Sequence, residues 1–159
     1  MPVSKDDFRR AMSCFAGGVT IVTTCRPDGQ VVGITVSAFC SLSLDPPLIL
    51  ICIDRKASIH DHLRLNAAFA VNILAETQQA VSRRFASKEL DRFSGLEYSR
   101  SADGVPLIAG SLAFVECTVA NIFPGGDHSI VVGEVKATNV DSSGWPLTYF
   151  RGAYSTLAR

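Results

Sequence analysis

The sequence has no apolar run long enough to cross a bilayer. Its longest, Leu48 to Ile53, falls far short of the about 20 residues a spanning helix needs. It has no excess of charge of either sign: 15 Lys and Arg balance 15 Asp and Glu. No net field therefore draws the chain to nucleic acid or to an anionic membrane surface. It has no cysteine pair at C-x-x-C or zinc-finger spacing. Its 5 cysteines (Cys14, Cys25, Cys40, Cys52 and Cys117) are odd in number and mostly embedded in apolar runs. That pattern predicts reduced thiols packed as small hydrophobes, with no metal site. G-x-G-x-x-G, Walker A and G-x-S-x-G sequences are all missing, which argues against a Rossmann site, a P-loop and a nucleophile elbow. The polar, acidic start Met1-Pro2-Val3-Ser4-Lys5-Asp6-Asp7 carries no apolar segment of the signal-peptide kind; a reducing cytoplasm is the expected compartment.

What is present is an apolar chain. Of 159 residues, 47% are hydrophobic and 19% charged, enough to build one core without disulfide or metal. A single domain over residues 1–159 is expected. A small molecule recognised locally is a better default partner than a polyelectrolyte.

Ser4 reads as an N-cap with Asp7 three residues on. Phe8, Ala11, Met12 and Phe15 follow at helical spacing and predict one buried stripe. The β-branched run Val19–Thr24 predicts a strand. Arg26-Pro27-Asp28-Gly29 is a turn, and Val31–Phe39 returns as a hairpin partner. Asp45-Pro46-Pro47 breaks the chain before a third strand, Leu48–Ile53, whose apolar continuity predicts burial on both faces. Ser58 and Thr77 are the expected caps of two short helices, the second carrying Ala80, Val81 and Phe85. His60 and His62, two apart on the first of these, point to different faces and read as surface histidines. Phe69–Leu74 is a strand, Ser87–Ala109 is loop-like, and strands return at Ser111–Ile122, Ile130–Asn139 and Leu147–Phe150. Seven or so strands, antiparallel where the turns can be read, predict a mainly β fold. Closure into a small barrel with peripheral helices removes its edges.

Three segments stand out from simple packing. Gly33 to Ser43 leaves an apolar strand and becomes a run of small and hydroxyl residues, which leaves backbone groups and hydroxyls accessible to a flat ligand. On the residues alone, a strand edge with polar alternation is the simpler account. Gly125-Gly126-Asp127-His128-Ser129 is either a glycine hairpin or a turn that points His128 into a cleft. Pro146 to Tyr154 places two tyrosines, a phenylalanine and an arginine around Gly152, suited to stacking on a planar ligand or to core packing.

Taken in order, the pieces resemble a known family. They are Phe15–Thr24, Gly33–Ser43 with Asp45-Pro46-Pro47-Leu48, Phe69–Leu74, Arg84-Phe85, Asp91-Arg92-Phe93, Gly126-Asp127-His128 and Tyr149–Tyr154. The chain resembles the flavin reductase-like proteins with the FMN-binding split β-barrel, a Greek-key fold of six to seven antiparallel strands. More narrowly, it is similar to the NAD(P)H:flavin oxidoreductase components of two-component flavin-dependent monooxygenases. The resemblance implies hydride transfer from the nicotinamide of NADH or NADPH to N5 of FMN or FAD. Reduced flavin would then pass to a separate oxygenase component. It implies that Thr35, Val36, Ser37 and Ala38 line the flavin ring, with Ser41 close by. Cys52 and Asp54 approach the ring or ribityl chain, and Ser58 faces the phosphate from a helix N-terminus. Arg84 and Phe85 reach the phosphate or the second subunit's flavin. His128 is the position tied to the nicotinamide nucleotide, with Tyr154 in the same cleft. A homodimer is implied. The alternative on the same fold is a non-enzymatic flavin store or sensor.

Overall fold

The computed structural model describes residues 2–158. Its elements are α1 (Lys5–Ser13), β1 (Gly17–Gly18), β2 (Thr20–Cys25), β3 (Val31–Val36), β4 (Phe39–Leu44), β5 (Pro47–Asp54), β6 (Ala68–Ile73), α2 (Gln79–Ala86), β7 (Tyr98–Arg100), β8 (Pro106–Ile108), β9 (Ala113–Gly125), β10 (His128–Val140), β11 (Thr148–Phe150) and β12 (Ala153–Ser155). Seven strands form one antiparallel sheet in the order β3-β2-β6-β9-β10-β5-β4. Its two edge strands are consecutive in the chain, joined only by Ser37 and Ala38. The Ala38 carbonyl accepts the Cys52 N–H at 3.0 Å, so the link from β3 lies against β5. The sheet therefore curls into the expected split barrel, open between β3 and β5.

The core of the barrel is aliphatic, with Val22, Ile51, Phe69, Val71, Val119 and Val131 buried together. β2 is buried along most of its length although it is rich in threonine, because its hydroxyls find carbonyls. Thr20 Oγ1 donates to Val36 O at 2.5 Å, Thr23 Oγ1 to Pro106 O at 2.6 Å and Thr24 Oγ1 to Ala68 O at 2.6 Å. Asn72, fully buried, donates to Ile21 O and Thr23 Oγ1 and accepts the Ile108 N–H. These bonds tie the hairpin β7–β8 onto the sheet. That hairpin lies inside Ser87–Ala109, which the sequence presents as a loop; its strands are three residues each, too short to show a period.

Several expectations are corrected. Ser4 does cap α1, accepting the Asp7 N–H at 3.0 Å, but the apolar stripe of that helix is not buried. Phe8, Met12 and Phe15 are 60%, 55% and 84% exposed. β5 buries one face only, through Ile49, Ile51 and Ile53, with Leu48, Leu50 and Cys52 half-buried on the other. Ser58 caps nothing: it is exposed and lies ahead of a three-residue 3-10 turn, His60–His62, which has no side-chain cap. Thr77 does not cap α2; Gln78 Oε1 instead accepts the Ala75 N–H at 3.0 Å. Of the cysteines, Cys117 is buried as expected, Cys25 and Cys52 are half-buried, and Cys14 and Cys40 are exposed.

Candidate functional site

The open seam of the barrel is where the singled-out residues converge. The end of β3 and the link after it, Ile34 to Ala38, face Cys52, Ile53 and Asp54 at the end of β5, and His128 closes the same cavity of about 180 Å³. Strand register explains the convergence. His128 opens β10 directly opposite Asp54, and Ser129 opposite Ile53. The turn before it is made by Gly126, whose φ of 73° suits glycine and strains other residues. Asp127 Oδ1 lies 2.7 Å from His128 Nδ1, which orients the ring and leaves Nε2 for a ligand. The same bond to His128 holds the Asp127 carboxyl below its ordinary value. The Arg55 N–H donates to Asp127 O at 3.1 Å, so the hairpin tip is also fastened to the turn after β5.

Two clefts flank this cavity. One, of about 540 Å³, lies between α2 and the C-terminal hairpin and shares Thr35 and Ser37 with it. Tyr154 belongs to this cleft and not to the His128 cavity. Its hydroxyl is 2.8 Å from Ser82 Oγ, and Thr35 Oγ1 donates to Ser82 O at 2.7 Å. α2, β3 and the C-terminal hairpin are thereby held as one wall. The other cleft, of about 360 Å³, shares Ile34 with the cavity. Ser58 lies in it with Arg26, Lys56, Lys88 and Arg92, against two carboxylates, Glu89 and Asp91.

Some expected residues are elsewhere. Ser41 sits on the edge strand β4 opposite Ile49 and lines none of these spaces. Arg84 donates to Ser94 O at 2.6 Å and pairs with Glu89 at 3.6 Å. Phe85 is fully buried, edge-on to Phe93 with centroids 5.0 Å apart, and so has no surface to offer a ligand. Arg83, one residue earlier, does line the larger cleft. Adjacent arginines on a helix point about 100° apart, and only the packing of α2 decides which faces the cleft.

The donor set fits a flat heterocycle carrying a phosphate. The cavity is lined by apolar side chains with the Ser37 hydroxyl among them, the Thr35 hydroxyl being given to Ser82 O, and the cleft beside it holds more cations than anions. Arg26 Nε and Arg92 Nε in that cleft are buried without a hydrogen-bond partner among the described residues. Among those residues no group of His, Cys, Asp and Glu is arranged to hold a metal ion.

Comparison with known proteins gives the family and the fold. The model of the flavin reductase like domain family matches residues 12–158. A flavin reductase of Pseudomonas putida is 38% identical over 151 residues, 95% of this chain and 89% of the relative. The reductase subunit of a flavin-dependent monooxygenase of Mycobacterium tuberculosis is 39% identical, over 94% of this chain and 81% of its own. Among solved structures, an NADH:FAD oxidoreductase of Streptomyces globisporus C-1027, in complex with NAD and FAD fragments, superposes with a TM-score of 0.91 at 34% identity, covering 99% of this chain and 97% of that one.

Proposed function

The chain belongs to the flavin reductase-like domain family of flavin oxidoreductases, and on that premise we propose that it oxidises NADH or NADPH and releases reduced FMN or FAD to a separate oxygenase component. The observation that carries the reading is the convergence of Thr35–Ala38, Cys52, Asp54 and His128 on the one cavity at the barrel's open seam. The relatives' names, a flavin reductase and the reductase subunit of a monooxygenase, favour this over a passive flavin store.

A bound flavin would supply the hydride-accepting chemistry, and the protein's own part would be to bind and position it against the nicotinamide. Ser37 and the exposed backbone of Ser37-Ala38 offer donors to the ring edge where negative charge grows on reduction. Thr35, whose hydroxyl is committed to Ser82 O, holds β3 in place instead of donating to the ring. Ser58 and Lys56, with Arg26, Lys88 and Arg92 around them, present hydroxyl and positive charge to the phosphate. His128, aimed by Asp127, holds the nicotinamide nucleotide within transfer distance. The protein supplies no nucleophile, in keeping with the missing hydrolase and P-loop motifs.

The exposed Phe8 and Met12 of α1, with Phe15 just past its end, form the face on which a second copy of this chain docks, making a homodimer; clustered exposed apolar side chains are typical of such faces. The deciding experiment for the activity follows nicotinamide absorbance with FMN, FAD and riboflavin in turn, using NADH and then NADPH. Turnover with at least one pair is expected, and none with any pair overturns the reading.

A further inference from the structure

The edge strand β3 meets the open seam with its backbone. The Arg26 N–H donates to Gln30 O at 2.8 Å and closes the β2–β3 hairpin. The register beyond it pairs Thr24 with Val32, Val22 with Ile34 and Thr20 with Val36. In an antiparallel ladder alternate residues turn both backbone groups to the same side. Val32, Ile34 and Val36 therefore face β2, and Gly33 and Thr35 turn their N–H and C=O groups to the seam. An edge of this kind has no neighbouring strand to hold it in place.

Arg92 holds it instead. Its Nη1 donates to Gly33 O at 2.7 Å and its Nη2 to Ser87 O at 2.5 Å. Ser87 ends α2, the helix whose Ser82 carbonyl already takes the Thr35 hydroxyl. The turn that presents Arg92 is set by Asp91, whose Oδ1 accepts the Phe93 and Ser94 N–H groups at 3.2 and 3.0 Å. Phe93 packs edge-on to the buried Phe85, and a Cβ added at Gly33 would stand 2.8 Å from Phe85 Cε1. Gly33 is thus clamped by a ring against its Cα and by a guanidinium on its carbonyl. No carboxylate lies within 4.0 Å of Arg92 among the described residues. Its planar fork spans two carbonyls on different elements, a geometry that a lysine ammonium does not reproduce. With both terminal nitrogens committed, what Arg92 lends the phosphate cleft is charge alone.

We propose that Arg92 is the positioning residue of the flavin-ring wall. By holding Gly33 it fixes Thr35, two residues on, with its backbone N–H and C=O turned to the ring edge. It acts on the ring through β3 and makes no bond to the phosphate. The proposal rests on the reductase reading above.

Riboflavin, which has no phosphate, separates the two roles. Riboflavin and FMN are titrated into the full chain and into Arg92→Ala and Arg92→Lys, followed by flavin fluorescence. Arg92→Ala is expected to weaken both flavins by the same factor, roughly tenfold or more, the scale of lost hydrogen bonds to a charged group. Arg92→Lys keeps the charge and is expected to stay weakened for both. In steady state the flavin KM rises in both variants while the nicotinamide KM is largely kept. Amide hydrogen exchange of the flavin-free chain is expected to quicken over β3 in both variants and to stay the same over β9 and β10. A loss confined to FMN, or one that Arg92→Lys fully restores, gives Arg92 to the phosphate and overturns the proposal. So do flavin affinities equal to those of the original chain. Unchanged exchange over β3 in the lysine variant overturns it too, whether or not the alanine variant folds. A chain that binds neither flavin yet shows Arg92-dependent exchange over β3 overturns the reductase reading, while the hold of Arg92 on the strand stands.

Discussion

His60 Nε2 lies 2.9 Å from Ser129 Oγ, across the gap between the turn after β5 and the hairpin that carries His128. Ser129 is only 6% exposed, so its hydroxyl depends on this partner. Asp61 Oδ1 lies 3.3 Å from the other ring nitrogen of His60. With the Arg55–Asp127 backbone bond, this contact fastens the hairpin tip to the segment containing Ser58. His60→Ala is expected to loosen the tip, raising the nicotinamide KM several-fold with a smaller change in kcat. The loss of one partly buried hydrogen bond costs about 1 kcal/mol of stability. His60→Asn, which can bond the serine if the backbone gives slightly, is expected to recover part of the KM. Nucleotide KM values equal to those of the original chain in both variants would remove His60 from any positioning role.

His128 itself gives a sharper outcome. Its ring borders the seam cavity, and among the described residues its side-chain hydrogen bond goes to the exposed Asp127 and not to a buried core residue. His128→Ala is therefore expected to leave folding and flavin binding close to unchanged. The nicotinamide KM should rise about tenfold or more, the usual effect of losing a polar group that orients a ligand. Steady-state kinetics with separately titrated flavin checks both halves.

Gly133 marks a place where strand β10 crosses a packed core. A Cβ added there would stand 2.5 Å from Phe69 Cζ and 3.0 Å from Cys117 Cβ. Neither neighbour can retreat, because Phe69 is fully buried and Cys117 is 2% exposed. Gly133→Ala is expected to destabilise the fold by about 1–3 kcal/mol, the range for overpacked cores, seen as a lowered Tm. The same change at Gly17 or Gly18, where an added Cβ meets nothing within 4 Å, gives a control for the loss of glycine alone.

The contrast between these residues shows what could be read from the sequence. The β-branched run of β2 and the Ser4 cap are local signals, set by sterics and by one hydrogen bond, and both are found where expected. The stripe Phe8, Met12 and Phe15 is equally plain as a pattern, yet periodicity says only that one face is apolar, not what covers it. Ser58 and Thr77 resemble caps because serine and threonine three residues before a polar side chain are common in turns as well. Thr35–Ala38, Cys52, Asp54 and His128 were legible through resemblance, and register brings them together. The contact of His60 and the place of Arg83 in a cleft wall were not, since one depends on a neighbour 69 residues away and the other on helix phase.

The exposed stripe makes its own prediction. If a second copy covers α1, placing charge on it separates the copies: Met12→Asp with Phe15→Asp is expected to halve the mass seen by light scattering. The helix should survive, because Ser4 still caps it and both sites are already exposed. A mass of one chain before substitution would sink the dimer.

Cys117 ties stability to pH at the alkaline end. Burial, reinforced by the neighbouring Glu116 carboxylate, pushes its thiol up to about 12 from the ordinary 9.0. The unfolded chain releases this proton as pH passes 9.0, while the folded chain keeps it until about 12. Between those values the folded state binds more protons than the unfolded one, so stability falls as pH rises through the window. Below 9.0 both states hold the proton and this thiol contributes no slope. Cys117→Ala leaves a small cavity but no ionisable group. Its denaturation midpoint is expected to start lower at pH 8 and to fall less steeply from pH 9 to 10.5 than that of the original chain. A thiol reagent at pH 8 should meanwhile modify the exposed Cys14 and Cys40 readily and reach Cys117 only on unfolding. Parallel pH profiles for the two proteins, together with rapid labelling of Cys117 in the folded chain, would show the thiol to be accessible instead of sealed in the core.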